Sequence, residues 1–223
     1  MSGRVRGPHR RDAGMTLIEV LVGVVIFTVL SGLLTAFVID MLRSSTGTTN
    51  RAANVDQLRV STDALTKGLR TAVRPEQLNP ACTSACDAAF LTASASAVTF
   101  YANHGTAGQA RLTTYRVEQD PDTVGTGRLI EELHAGAAPG GTPSTACGAG
   151  CTTRALARGL VWPVAAADPV FAFADEGCAD FVSPVARADI ACVVIDLPVL
   201  GARDNPGTSA TATVFLPNSV MGR

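Results

Sequence analysis

The sequence predicts an α+β protein: a long N-terminal helix, apolar in its first half and amphipathic in its second, packed on an antiparallel β-sheet. Three observations predict it. Twenty consecutive residues without a charge run from Val20 to Ile39. A stripe of residues at helical spacing follows, with no proline between residues 40 and 73. From about residue 88 the chain changes to short β-type runs separated by turn signals.

The apolar segment comes first. At about 1.5 Å per residue, a helix from Val20 to Ile39 reaches about 30 Å, the hydrocarbon thickness of a bilayer. It is preceded by Arg4, Arg6, Arg10 and Arg11 against one acid, Asp12. A basic flank stays on the cytoplasmic side, so the expected topology is N-terminus inside, one span over residues 15–39, and the rest outside. A secretory signal peptide is the competing reading. The run is longer than a usual signal core, and no clear small-residue cleavage site follows it.

Residues 40–75 are expected to continue the helix out of the membrane. Leu58, Thr62, Leu65, Leu69 and Ala72 fall on one face, while Arg59, Asp63, Lys67 and Arg70 fall off it. Pro75 is expected to end the helix and Pro80 to keep it from resuming. Residues 76–223 are expected to form a β-rich exported domain. Strands are expected at Ala97–Tyr101, with Val98 and Phe100 on one face and Thr99 and Tyr101 on the other. Leu112–Val117 and Arg128–Leu133 follow, joined by a turn over residues 120–127. Val170–Phe173, Ile190–Leu200 and Thr208–Leu216 complete the set. Pro198 predicts an edge strand or an early stop for the Ile190–Leu200 run.

Composition excludes several function classes. The chain has 223 residues, enough for one domain plus an anchor. Only 17% of residues are charged and 47% are hydrophobic, which is not the composition of a disordered chain. Eighteen basic residues balance nineteen acidic ones, so there is no field to hold nucleic acid. No G-x-S-x-G, H-E-x-x-H, Walker or dinucleotide-binding pattern occurs. No enzyme, catalytic residue or cofactor is expected. His9, His104 and His134 are isolated in sequence, and the last two are expected to be exposed near turns.

Glu19 is the exception within the apolar segment, following Met15, Thr16, Leu17 and Ile18. A carboxylate at the centre of a membrane helix costs about 2.5–3.5 kcal/mol, and somewhat less near an end. Cleavage after Gly14 would create an α-amine on Met15, cationic at neutral pH and about one helical turn from Glu19. In an assembly, Glu19 of one subunit could neutralise that amine on its neighbour. Snorkelling of Glu19 to the cytoplasmic interface is the simpler alternative.

The run Arg10-Arg11-Asp12-Ala13-Gly14, then Met15-Thr16-Leu17-Ile18-Glu19, then an apolar helix, resembles the class III leader of type IV prepilins and type II secretion pseudopilins. The resemblance implies a prepilin peptidase that cuts after Gly14 and methylates the amine of Met15. It implies that the helix becomes the packing core of a fibre, with Glu19 aiding recruitment and register. Other pilin or pseudopilin subunits and an inner-membrane assembly platform are the implied partners. Met15 stands where the family usually has phenylalanine. The order of the later elements, through Leu69–Val73, Val98–Tyr101, Thr114–Val117, Pro169–Phe173, Cys192–Ile195 and a terminal strand ending in Asn218, resembles the J-type minor pseudopilins and related minor pilins. Their members cap or prime the fibre. A tip adhesin or DNA-uptake subunit on the same helix, and a plain single-pass anchored protein, are the alternatives.

Six cysteines in a chain of this size point to an oxidising compartment. They allow many connectivities. The simplest joins Cys82 to Cys86, Cys147 to Cys151 and Cys178 to Cys192, each closing a local loop. An all-thiolate zinc site from the two C-x3-C pairs is the alternative, disfavoured by the oxidising compartment and by their separation, so no metal is expected. Residues 136–150 read as a solvated loop. Asp175, Glu176 and Asp180 offer hard oxygen ligands but no recognised calcium-loop spacing, and read as a turn.

Overall fold

The computed structural model describes residues 16–78, 86–103, 110–134, 147, 150–175, 177–178, 187–201 and 207–217. The chain divides into two compact units, Met1–Thr48 and Thr49–Arg223. Helix α1 spans Leu17–Arg70, so its first part belongs to one unit and its last part to the other.

In the second unit the predicted stripe is the packing face. Leu58, Leu65 and Leu69 are buried, and Arg59, Asp63, Lys67 and Arg70 are exposed. Two small residues, Ser61 and Gly68, complete that face. The helix stops at Arg70, earlier than Pro75 suggested. Its last turn tightens, with Thr71 N donating to Gly68 O and Ala72 N to Leu69 O, each 3.0 Å. The chain then pairs with a strand: Ala72 bridges Ala102, and Val73 N donates to Tyr101 O at 2.9 Å. Pro75 begins a short helix, α2 (Pro75–Leu78), rather than preventing one. Proline suits a first helical position, where its missing N–H would have no partner anyway.

Eight antiparallel strands follow: β1 Phe90–Ala93, β2 Ala97–Asn103, β3 Ala110–Gln119, β4 Thr126–Leu133, β5 Thr152–Val161, β6 Phe171–Ala174, β7 Cys192–Val199 and β8 Thr208–Phe215. They form one sheet in the order β1-β2-β3-β4-β5-β7-β6, with β8 on the other side of β7. The α+β class is as the sequence predicts. Val98, Phe100 and Tyr115 face α1 and join Leu58, Leu65 and Leu69 in one core. Ring contacts link Phe90 to Phe100 and Phe100 to Tyr115, both at 5.8 Å between centroids.

Strand β5 lacks a clear sequence signal, and its pairing explains why. Its register with β4 skips Leu156 and Gly159, so two bulges break the two-residue alternation. Gly159 has φ +72°, a conformation that suits glycine. The carbonyls of both skipped residues bond elsewhere. Leu156 O lies 2.6 Å from the Ser61 hydroxyl of α1, which shares its one proton between this carbonyl and Gln57 O at 2.7 Å. Gly159 O accepts from Leu200 N at 2.9 Å and draws in the end of β7. Gln57 adds a second tie, donating to Arg158 O at 2.9 Å.

Strand β7 is interior, not an edge, despite Pro198. Asp196 N donates to Val170 O and Leu200 N to Gly159 O, both 2.9 Å. Successive N–H groups on a strand alternate sides, so Pro198 N points to that same side, between the end of the β6 pairing and the single β5 pair. Its missing donor falls where the neighbouring strand changes, and the ladder loses nothing.

Beneath α1, Tyr115 donates to Glu131 at 3.0 Å, and Arg154 pairs with the other oxygen of Glu131. Burial above all, then the charge of Glu131 and this hydrogen bond, push the Tyr115 phenol well above its ordinary range. Burial also raises Tyr101. Above Tyr115, a Cβ on Gly68 would stand 2.0 Å from the phenol oxygen and 3.0 Å from the adjoining ring carbon. Only glycine lets the helix sit this close.

Two outcomes follow for the full-length protein in detergent. Alanine at an exposed helical glycine adds about 1 kcal/mol, but Gly68→Ala should lower stability by about 1–3 kcal/mol through overpacking. Tyr115→Phe removes the nearest clashing atom. The double variant should therefore be more stable than the sum of the single losses allows, and additive losses in denaturant titration would contradict the contact. A raised phenol favours the protonated form in the folded state, so its contribution is complete below the free tyrosine pKa of about 10 and is lost as pH rises above it. Tyr115→Phe should flatten the fall in stability above that pH, with a residual slope from Tyr101.

Candidate functional site

The candidate site is the start of α1. Thr16 O accepts from Glu19 N at 3.0 Å and from Val20 N at 3.3 Å, which places Thr16 at the helix cap. Thr16-x-x-Glu19 has the spacing of a capping box, and Glu19 sits in the first turn. A carboxylate there is favoured by the helix dipole, by about 0.3–1 kcal/mol where exposed. Glu19 is exposed and its side chain has no hydrogen-bond or ion-pair partner among the described residues. Gly14 and Met15 lie outside the described residues.

From Leu17 to Leu42 the large apolar side chains of α1 are exposed, Leu17 at 87% and Phe27 at 72%. The helix is long and apolar enough to cross a membrane, with a mean hydropathy of 2.6 over its most apolar window. Two of its hydroxyls bond within the helix. Thr28 donates to Val24 O and Thr35 to Ser31 O, both at 2.8 Å. Such back-bonding satisfies both threonine hydroxyls without water, which suits a segment in hydrocarbon. A contiguous apolar surface of this extent marks a site that lipid or protein must cover.

Residues 9–35 match the family profile of the prokaryotic N-terminal methylation motif. This is the type IV prepilin-like signature. The matched span holds Gly14, Met15 and Glu19 together with the first part of α1, and covers a minor fraction of the chain. No curated protein and no solved structure matches this chain. Beyond the methylation motif, the globular unit is known from its own geometry, a helix lying on an antiparallel sheet in pilin-like order.

The cysteines fall outside the matched residues 9–35. Cys147 is bonded to Cys151 and Cys178 to Cys192, with Cα atoms 5.4 and 5.6 Å apart. Cys86 is also disulfide-bonded. Cys82 lies outside the described residues, as do His104, Glu176 and Asp180. Asp175 accepts from Gly177 N at 3.3 Å, a local turn contact.

His134 departs from expectation. It is 8% exposed, not a surface turn residue. Its N donates to Leu112 O at 2.9 Å, extending the β3–β4 ladder. Tyr101 pairs with Leu112, and the register Thr113↔Leu133 sets Leu112 opposite His134. The register Leu133↔Thr152 then brings Cys151, just before β5, beside His134. The ligand atoms of His134, Cys147 and Cys151 lie within 4.8 Å of one another. Neither this cluster nor the Tyr115–Glu131–Arg154 network is visible in local sequence. Both are made by cross-strand register, which requires β5 to be placed first.

Proposed function

We propose that this chain is the precursor of a minor pilin or pseudopilin, a structural subunit and not an enzyme. In this reading a prepilin peptidase cleaves after Gly14, the new amine of Met15 is methylated, and the subunit joins a pilus-like fibre through the first half of α1. The observation that carries the reading is the methylation motif over residues 9–35. Two features of the helix support it. Its apolar surface lacks any cover among the described residues, and Glu19 lies one turn beyond Met15 with its charge unmatched.

The physical account is a sequence of two environments. Before assembly the helix is a single membrane anchor, with its basic leader on the cytoplasmic side. Assembly on an inner-membrane platform exchanges lipid for the helices of other pilin subunits. Glu19 then meets the amine of a neighbour's Met15, and both charges leave the hydrocarbon as a pair. The role as a minor subunit rests on the resemblance of the second half to the J-type group. The second unit serves as the exported body.

Processing is the first test. N-terminal sequencing of the protein from native membranes should begin at Met15 with a methylated amine. A bulky residue in place of Gly14 should block cleavage, and an intact N-terminus in the wild type would refute the reading. Glu19→Ala supplies the second. The variant should still insert and be cleaved, because the substitution removes a burial cost, yet crosslink to neighbouring subunits far less than wild type. Equal crosslinking would assign Glu19 to capping or snorkelling alone.

A further inference from the structure

The geometry points to a redox-gated zinc site formed by His134, Cys147 and Cys151. The first observation is an orphaned atom. His134 Nε2 is buried and has no hydrogen-bond partner among the described residues. A buried polar atom left unsatisfied costs about 1–3 kcal/mol, so its position calls for a reason. The second observation is what stands beside it. One ligand atom from each of the three residues lies within 4.8 Å of the others. One ion with bond lengths of about 2.0–2.3 Å spans ligands set that closely after small side-chain rotations.

The donor set selects the metal. Two thiolates and an imidazole suit zinc, and three protein ligands leave a fourth tetrahedral position for water. Cys147 is exposed and Cys151 half-buried, so that position is open to solvent. Backbone register fixes two of the ligands. His134 continues β4 and Cys151 precedes β5, brought together by the pair Leu133↔Thr152. The Cys147 sulfur lies 3.5 Å from the Thr153 hydroxyl, a polar neighbour on the same rim.

In the structure the two sulfurs are joined, and a disulfide offers no thiolate. Zinc binding therefore begins with reduction. A thiol or phosphine reductant supplies two electrons, the S–S bond breaks, and two protons give two thiols. Zinc then displaces one proton from each sulfur. The oxidised chain binds no zinc here and the reduced chain binds one ion. The two states are mutually exclusive, and the same loop is closed by a covalent bond in one and by a metal in the other.

The test uses the full-length protein in detergent, reduced with a phosphine that does not compete for zinc. After zinc is added and excess removed, elemental analysis should give one zinc per reduced chain and none per oxidised chain. Cobalt substitution should give thiolate-to-metal charge transfer and a tetrahedral visible band. His134→Phe and Cys147→Ser should each weaken binding by roughly tenfold or more, since even outer partners of metal ligands cost that much. His134→Phe should leave the oxidised fold at least as stable, because the buried Nε2 has no hydrogen-bond partner to lose among the described residues. In the wild type, zinc should protect Cys147 and Cys151 from alkylation, as mapped by mass spectrometry, which needs no variant. Absence of retained zinc, zinc retained equally by both variants, or protection confined to the other cysteines would each overturn the assignment.

Discussion

The globular unit depends on the two carbonyls that the bulges of β5 leave unpaired. An ordinary strand spends its backbone groups on its two neighbours. Strand β5 skips Leu156 and Gly159 against β4 and so has two acceptors to place elsewhere. One meets the Ser61 hydroxyl and pins α1 to the sheet. The other meets Leu200 N and attaches β7, with β6 and β8 behind it. Each bond contributes only about 1 kcal/mol. Their position matters more than their strength, because the helix and the second half of the sheet both take their register from one irregular strand.

That seam sets how the helix is used. Residues of α1 from Leu58 to Leu69 gain their stability from burial against the sheet, and Ser61 and Gly68 let the approach be close. Nothing in the described residues does the same for Leu17 to Leu42. A helix of 54 residues thus has one part with a core and one part without. The methylation motif lies in the part without. Its apolar surface requires lipid or other helices, and the carboxylate of Glu19, within the matched motif, requires a cation or a water interface. Anchoring followed by assembly, as proposed above, would meet both requirements.

How far the sequence revealed this follows from the range of each signal. The apolar helix, Glu19 and the Leu58–Leu69 stripe are short-range patterns, and they read directly. So do β2, β3 and β4, which form continuous β-type runs between turn signals. The failures are instructive. Strand β5 is hidden because Leu156 and Gly159 break its period. Pro198 suggests an edge, yet its missing N–H faces a gap between β6 and β5, which only topology reveals. Ser61 and Gly68 are invisible to a count of apolar residues, although they are what the helix packs through. His134 looks solitary because its neighbours Cys147 and Cys151 come to it through the β4–β5 register.

The central claim is that one uninterrupted helix joins an apolar, lipid- or subunit-covered segment to a sheet-packed one in the same mature chain. Single cysteines placed along α1 in native membranes, probed with a water-soluble thiol reagent, test it most directly. The account predicts protection from Val20 to Ile39, reactivity resuming at exposed positions beyond Thr48, and every labelled position retained on one polypeptide. Reactivity throughout Val20–Ile39, or loss of those positions from the mature protein as in a cleaved signal peptide, would contradict it.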